Sequence, residues 1–326
     1  FEQAPWAGAL QQADGLLLKS KSLFPQGLSQ DVCFMKEICF SPSTEGVLLF
    51  TACNDTVAGI YANGIEPAYV LKRENPTEYY MDIANINKFR DNTVETDQII
   101  GVYDLFESPH YLYLRLYKGD AIFIQRFDKK TGELKSQRIP DDYLECSAAI
   151  PGGNVIGMDN DIDGGIPFWP EYVMADGGRA QVVNADILLA LREKGYLKQA
   201  PDVLNIGDEA NPVVILYTFK IGGIMKSFTF CILLAHVLAF PLFAQKNAAA
   251  VTLNLAKAVT QSPKTVLMSE LASDVRYFPL ETTDNCLLGN ECSIIYAGNS
   301  IIAGDAQTRS FYRFDKNGKF MNKIGR

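Results

Sequence analysis

The sequence contains little of what most enzyme active sites require. It has 2 histidines among 326 residues, and only His110, in "ESPHYLY", lies outside a long apolar segment. Ser108 lies close before it, but adjacency in sequence does not supply the geometry of a catalytic triad. Gly152-Gly153 is followed by neither a lysine nor a helix, so no phosphate-binding loop is recognised. The chain is therefore expected to have no catalytic residues.

Metal-binding cysteine patterns are also missing. The 7 cysteines include no CxxC pair of the kind that structural zinc sites use. Cys33, Cys39 and Cys53 lie in separate segments, and no histidines accompany Cys286 and Cys292. We expect the cysteines to behave as small buried apolar side chains. A Cys286–Cys292 disulfide is the alternative for a protein outside the cytoplasm.

Long basic runs are absent as well. The formal net charge is −8, and no cluster of lysine and arginine exceeds a pair. Proteins that bind nucleic acids carry a basic patch, so nucleic acid is not an expected partner. The scattered charge favours a soluble surface, and the 15 tyrosines and 19 phenylalanines favour a strand-rich fold.

Three stretches repeat one design, in which two strand-like runs flank a short polar turn. They read "TVAGIYANGIEPAYVL", "AIFIQRFDKKTGELKSQRI" and "RSFYRFDKNGKFMNKIG", with turn glycines Gly64, Gly132 and Gly318. Asn-Gly between apolar runs is a strong hairpin signal. Two of the units share Phe-Asp-Lys before the turn, and a further β-rich run precedes each hairpin.

Repeated units of three to four short antiparallel strands are typical of propeller blades, which are stable only when stacked on their neighbours. The predicted fold is all-β: an incomplete or permuted β-propeller of four-stranded antiparallel blades, with one or two short helices. The stronger helix candidate is "NADILLALREKGYL" (184–197), which Asn184 caps and Gly195 ends. The second candidate is "LNLAKAVTQ" (253–261).

The long apolar segment lies in the middle of the chain and has the parts of an export signal. Met225-Lys226 supplies a start and a short basic region, residues 228–240 are almost wholly apolar, and Phe243-Ala244-Gln245 offers a cleavage site. A membrane helix and a buried core segment are the alternatives. The run is short for a membrane helix, and any membrane contact is expected only through residues 228–243.

An export signal acts at an N-terminus, so its position predicts that two reading frames have been joined. Residues 1–220 are expected to be the C-terminal blades of one propeller. Residues 221–250 would be a linker with the signal-like segment, and residues 251–326 the N-terminal strand and first blade of another propeller. Phe1 is not a start residue and Arg326 follows a hairpin directly, so both outer ends are expected to be truncated.

Several separated motifs carry a family resemblance. The stretch "SDVRYFPLET" has the leading pattern formed by Ser273, Asp274, Tyr277, Pro279, Leu280, Glu281 and Thr282. Together with "NDTVAGIYANGIEPAYVL", "DNDIDGGIPFWPEY" and "NPVVILYTFK", it resembles the six-bladed β-propeller proteins of Bacteroides-type bacteria, which are distantly similar to NHL-repeat propellers. The resemblance covers most of residues 45–220 and 266–326. It implies an exported or membrane-anchored protein and no common biochemical activity.

The order of these motifs, tail before head, has a structural consequence. Propellers often close by pairing an N-terminal strand with the last blade, which removes two open edges. We therefore expect the strand around Val275 to Leu280 to complete the blade that holds Val213 to Tyr217. The chain would then form a permuted, incomplete propeller of about four or five blades.

Two adjacent motifs are the candidate binding residues. In "MDNDIDGG", Asp159, Asp161 and Asp163 alternate as in the first half of an EF-hand loop, which would bind calcium, although the twelfth position is not the required Glu. A polar loop between strands is the alternative. Phe168 and Trp169, in "IPFWPEY", are candidates for a platform that stacks on a sugar or a peptide. Packing between blades is the alternative.

The sequence thus predicts an exported, non-catalytic binding or scaffold module that acts in the periplasm or at the cell surface. Its ligand would be a carbohydrate or a protein, and no cofactor other than calcium is considered. The rival hypothesis is a propeller hydrolase or lyase, similar to lactonases, with a metal or an acid/base pair in the central channel. A third hypothesis is that the joined chain has no function as a unit.

Overall fold

The computed structural model describes residues 8–11, 17–21, 38–43, 45–51, 54–73, 100–147, 155–173, 178–197, 199–207, 209–219, 250–289, 292–297 and 299–325. Residues 221–249, on which the export-signal prediction falls, lie outside these ranges. The chain forms two compact units: unit 1 combines Phe1–Arg138 with Gly222–Lys264, and unit 2 combines Ile139–Ile221 with Thr265–Arg326. Each unit therefore takes residues from both sides of the predicted linker.

Unit 1 contains two blade-like sheets and a small hairpin. The hairpin pairs β1 (Gly8–Gln11) with β2 (Leu17–Lys21). Sheet 1 is an antiparallel meander of β3 (Ile38–Pro42), β4 (Val47–Thr51), β5 (Thr56–Tyr61) and β6 (Gly64–Lys72). Sheet 2 is the meander of β7 (Ile100–Glu107), β8 (Tyr111–Lys118), β9 (Ala121–Asp128) and β10 (Leu134–Arg138). Sheets 1 and 2 share one apolar core, which includes Leu48, Leu71, Leu112, Leu114 and Leu116.

The segment after residue 249 returns to unit 1. The short strand β14 (Val251–Asn254) lies parallel to β6 and becomes the fifth strand of sheet 1. A helix, Leu255–Val259, follows at once, and the Asn254 side chain caps it by accepting the backbone N–H of Lys257 at 2.9 Å. This helix confirms the weaker of the two helix predictions.

Unit 2 contains the other two sheets. Sheet 3 is formed by β11 (Tyr172–Val173), β12 (Arg179–Val183), β13 (Val213–Phe219) and β15 (Ala272–Pro279). Sheet 4 is the meander of β16 (Cys292–Ala297), β17 (Ser300–Asp305), β18 (Ser310–Asp315) and β19 (Phe320–Gly325). The two sheets share an apolar core that includes Val182, Val214, Leu216, Ile301 and Phe314.

The pairing of β13 with β15 confirms the predicted closure. The strands are antiparallel, and Val213 lies opposite Pro279, Ile215 opposite Tyr277 and Tyr217 opposite Val275. Polar contacts favour this register, because Tyr277 donates to Asp163 and Asn211 donates to the Glu281 carbonyl oxygen. A slip by one residue would turn the Tyr277 side chain to the other face of the sheet. A strand from the far part of the chain thus completes the blade.

The predicted all-β propeller fold of four-stranded blades is confirmed. The described residues form four blade-like sheets, three of four strands and one that β14 extends to five. Four sheets lie within the four or five blades expected for this chain. Six blades, the number in the family that the sequence resembles, are not seen among the described residues. Cys286 and Cys292 are free thiols, so the alternative of a disulfide between them is wrong. None of the helices in the described ranges has the length and apolarity to cross a membrane.

The described residues form three α-helices, where one or two short helices were expected. The stronger prediction is confirmed as Ala185–Glu193, and Gly195 follows it with a φ of 80°. Asn184 occupies the N-cap position, but its side chain makes no capping hydrogen bond. The helix Asp141–Ser147 was not predicted, because seven residues carry too little apolar periodicity to be recognised.

The repeated Phe-Asp-Lys motif has a structural cause in the two hairpin turns. Asp128 accepts the backbone N–H groups of Lys130 and Thr131 at 2.8 and 2.9 Å. Asp315 accepts those of Asn317 and Lys319 at 2.8 and 3.0 Å. Gly132 and Gly318 then take φ angles of 75° and 85°, which favour glycine. The aspartate and the glycine together specify each turn.

These turns predict a dependence of stability on pH. Hydrogen bonds from the turn backbone lower the pKa of Asp128 and Asp315 below 3.8. Their stabilising effect is therefore present above about pH 4 and is lost as the pH falls through the folded-state pKa. The double variant Asp128→Asn/Asp315→Asn should lose less of its Tm than the wild type between pH 5 and pH 3. Asp274→Asn, in β15 outside any turn, is the control; an equal effect there would contradict the assignment.

A second prediction concerns Asn211, which is 1% exposed. Its side-chain amide donates to the carbonyl oxygens of Glu281 and Cys286 at 2.8 and 2.9 Å and accepts the Leu288 N–H at 2.8 Å. Asn211→Ala leaves these groups buried without their partner, which should lower the free energy of unfolding by about 3 kcal/mol. Urea denaturation measures this change.

The exposed Asn322 provides the control for Asn211. Its substitution by alanine should change the free energy of unfolding by less than about 0.5 kcal/mol. If Asn211→Ala were as mild as Asn322→Ala, the Asn211 contacts would not stabilise unit 2.

Candidate functional site

The predicted calcium motif lies in a loop that one pair of backbone hydrogen bonds closes. The Met158 N–H donates to the Phe168 carbonyl oxygen at 2.8 Å, and the Phe168 N–H donates back at 2.9 Å. Gly157 allows this approach, because a Cβ at that position would lie 2.0 Å from the Phe168 carbonyl oxygen. The loop between these points carries the three aspartates.

Asp163 is the centre of a hydrogen-bond cluster that reaches β15. One of its oxygens, Oδ1, accepts from the Asn160 side-chain amide at 2.7 Å, the Gly165 N–H at 3.0 Å and the Tyr277 hydroxyl at 3.1 Å. The Asn160 amide also donates to the Tyr277 hydroxyl at 3.3 Å. Burial, followed by the charge of Asp163, raises the pKa of Tyr277. The tyrosine therefore stays protonated and donates to the carboxylate.

The other two aspartates bind a neighbouring stretch of the same later segment. Asp161 accepts the backbone N–H of Ser269 at 2.8 Å and also its hydroxyl. Asp159 uses its backbone, donating to Val266 at 3.1 Å and accepting from Met268 at 2.8 Å. Asp159 and Asp161 thus hold in place the segment that leads into β15.

This arrangement bears on the calcium prediction. An EF-hand directs its carboxylates at one cation, whereas the oxygens of Asp161 and Asp163 accept from protein donors. Across the ranges that the structure describes, no three carboxylate, imidazole or thiol side chains are grouped as a metal site requires. The side chains of Asp161 and Asp163 contact Ser269 and Tyr277 in this structure, and calcium binding stays a prediction.

The aromatic candidates lie in the core. Phe168 is 0% exposed and Trp169 is 1% exposed. The Phe168 ring packs on Tyr217 with the ring centroids 3.8 Å apart, and on Phe219 at 6.2 Å. Both rings are thus packed in unit 2, and neither offers a face to a ligand at the surface in this structure.

Ser108 and His110 belong to the turn between β7 and β8. The Ser108 hydroxyl accepts the Tyr111 N–H at 3.1 Å, which stabilises the turn. His110 is exposed, and its ring lies against Tyr111 with centroids 6.2 Å apart. No hydrogen bond described in the structure joins the serine to the histidine, so the geometry is that of a hairpin turn.

Beside this turn lies a buried ionic group that the sequence did not reveal. Glu107 accepts from Tyr69 at 2.5 Å and pairs with the Lys129 ammonium at 2.7 Å. Burial, then Glu107, raises the pKa of Tyr69. Because β6, β7 and the β9–β10 turn each supply one member, the group joins sheets 1 and 2. No periodicity in the sequence brings these three residues together.

Among the described residues, four of the eight large apolar side chains that are exposed lie in sheet 4. Ile295, Phe311, Met321 and Ile324 are 62%, 50%, 51% and 51% exposed. Ile295 is opposite Ile302 in the ladder, and Phe311 is opposite Gly304. A Cβ at Gly304 would lie 3.1 Å from the Phe311 ring, so this glycine lets the ring lie across the sheet.

We use the name apolar outer face of sheet 4 for Ile295, Ile302 and Phe311, together with the exposed Met321 and Ile324 of the adjacent edge strand β19. The opposite face carries Ile294, Ile301, Ala303, Tyr312 and Phe314, which pack against sheet 3. The sequence contains a signal for an apolar outer face, because consecutive apolar residues in a strand place one side chain on each face. The pairs are Ile294-Ile295, Ile301-Ile302 and Phe311-Tyr312. Such strands are typical of sheets that are covered on both sides.

The Asp163–Tyr277 contact predicts a change in stability. Tyr277→Phe removes a hydroxyl that donates to a carboxylate, which should lower the free energy of unfolding by about 1.5 kcal/mol at pH 7. Because the pKa of Tyr277 is raised above 10.0, the effect is present below pH 10 and fades as the pH rises further. Urea denaturation at pH 7 and above pH 10 measures both; a difference that grew at high pH would contradict it.

Comparisons with known proteins give a family and a similarity to a solved structure, and they supply no activity. In solved structures, the chain is similar to a candidate exported protein of Bacteroides fragilis, with 13% identity and a TM-score of 0.43. The match covers 63% of this chain and 55% of that one, so the chain spans about half the length of that protein. No protein of curated function matches the sequence.

A family model gives the broader match. It covers residues 10–218 and 250–326, and thus both the part that forms sheets 1 and 2 and the part that supplies β14, β15 and sheet 4. The stretch between the two matched ranges contains the signal-like segment. The chain belongs to the family described as domain of unknown function DUF4934.

Proposed function

We propose that this chain is a non-catalytic binding or scaffold propeller that acts outside the cytoplasm and binds another protein through the apolar outer face of sheet 4. The observation that carries the proposal is the exposure of four large apolar side chains on that sheet. Contiguous apolar surface of this kind marks interaction sites in soluble proteins.

Burial of these apolar side chains would supply part of the free energy of binding, and other contacts of the partner would supply the rest. Full burial of one large apolar side chain contributes about 1.5–3 kcal/mol. Ile295, Phe311, Met321 and Ile324 are each exposed by half or more, so covering all four would contribute about 4 kcal/mol. Polar contacts at the rim, including those of the exposed Arg313, would add specificity.

The chemistry of the face favours a protein over a carbohydrate. Sugars stack on aromatic rings and require polar partners, whereas this face is mainly aliphatic, with one aromatic side chain. The inner face of sheet 4 already packs on the apolar face of sheet 3. A partner that presents a similar apolar sheet face would cover the outer side in the same way.

The location and the origin of the chain belong to the same proposal. Met225-Lys226, the apolar run and Phe243-Ala244-Gln245 support export of a parent protein. The tail-before-head order supports the joining of parts from two six-bladed, NHL-like propellers, with β15 taking the position of a closing strand. The domain boundaries 1–220, 221–250 and 251–326 stay a prediction about that origin.

Site-specific crosslinking tests the binding surface. A photoreactive amino acid at Ile295 or at Phe311 should crosslink the same protein in cells that produce the chain, and purified partner should then bind with micromolar or better affinity. Phe311→Ser should weaken that binding at least tenfold while Tm stays within a few degrees, because the side chain is half exposed.

Lys316, in the exposed turn after β18, is the control position. A probe there should not capture the partner found from the apolar outer face. Equal capture from Lys316, or unchanged binding by Phe311→Ser, would contradict the proposed surface. Saturable binding of a glycan that Phe311→Ser abolishes would replace the protein partner with a carbohydrate.

A further inference from the structure

Two strands from the later part of the chain each complete a sheet made by the earlier part. We call residues 8–219 the body and residues 250–326 the tail. In unit 1, β14 pairs with the edge of β6, with Val251 opposite Tyr69 and Asn254 opposite Lys72. In unit 2, β15 pairs with the edge of β13 from Val213 to Phe219. The body alone would leave both strand edges open.

The tail also fills apolar space in each unit. Leu253 and Leu255, at 2% and 0% exposure, belong to the core between sheets 1 and 2. Leu280, Leu288 and Ile294 belong to the core that sheet 3 shares with sheet 4. Strand pairing and apolar burial thus act together, as in known cases of β-strand addition.

Specific hydrogen bonds join the tail to the body along the length of the tail. The Lys264 N–H donates to the Ser136 carbonyl oxygen at 2.8 Å, within unit 1. Asp161 binds Ser269, Asp163 binds Tyr277, and Asn211 binds the turn from Glu281 to Leu288, all within unit 2. These contacts depend on particular side chains of the tail and fix its register.

We infer that the edges of β6 and β13 are binding sites for the tail as a ligand, and that they accept the tail of a second copy as well as their own. None of the contacts above requires a covalent link between residues 219 and 250. A link raises the effective concentration of the tail but adds no contact. Exchange of an identical element between two copies preserves every contact, which is the basis of domain swapping.

Cleavage of the folded, full-length chain tests the inference. A protease recognition sequence flanked by glycine and serine is inserted between residues 230 and 240, and the purified protein is cut. Body and tail should elute together on size exclusion at micromolar concentration. When two differently tagged copies are cut, unfolded together in urea and refolded, the tail of one should be recovered with the body of the other in about half of the complexes, as random pairing requires.

The alternation of hydrogen bonds in β15 supplies a matched pair of variants. The Leu280 N–H donates to the Pro212 carbonyl oxygen at 3.1 Å, so even-numbered residues of β15 direct their N–H groups at β13. Arg276→Pro therefore removes a ladder hydrogen bond, while Val275→Pro removes an N–H on the open edge, where proline is tolerated. Pro279 already occupies such an odd position.

After cleavage, Arg276→Pro should release the tail at concentrations at least tenfold higher than Val275→Pro does. Separation of body and tail in the otherwise unmodified protein would overturn the inference. So would equal retention of the tail by the two proline variants, because strand pairing would then not hold it. Failure of tagged copies to exchange tails on refolding would overturn the part that concerns a second copy.

Discussion

The antiparallel pairing of β13 with β15 is the interaction on which unit 2 depends. It joins strands that are more than fifty residues apart in sequence, and it places the following segment where sheet 4 can pack on sheet 3. Without β15, sheet 3 would end at β13 with an open edge, and open edges pair with whatever strand is available. The pairing therefore decides both the completion of one blade and the position of the next.

Polar groups make this pairing specific. The loop that carries Asp159, Asp161 and Asp163 has the spacing of a cation-binding loop, but its acceptors are matched to N–H and O–H donors of the tail. Asn211 likewise binds residues that follow β15, because its amide donates to the carbonyl oxygens of Glu281 and Cys286. Buried polar groups are costly when unpaired, so each of these contacts penalises a shifted register and favours the one observed.

The two faces of sheet 4 show how blade packing generates a surface. The inner face is buried on sheet 3, while the outer face presents isoleucine, phenylalanine and methionine to solvent. Strands that are apolar on both faces are typical of sheets that are packed on both sides. The proposed interaction surface would thus be a direct consequence of blade architecture and would need no separate binding motif. In this structure Phe168 and Trp169 are buried, and Asp161 and Asp163 accept hydrogen bonds from protein donors.

Local chemistry determined much of this protein. Alternating apolar residues, Asn-Gly and Asp-x-x-x-Gly turns specified the hairpins at Gly64, Gly132 and Gly318, and motif order specified the closing strand, because these signals act between neighbours or along one strand. Only the tertiary structure decided what Asp163, Phe168 and Trp169 contact, that β14 joins β6, and that Glu107 meets Tyr69 and Lys129. Such contacts join residues far apart in sequence, and no local periodicity encodes which of them meet.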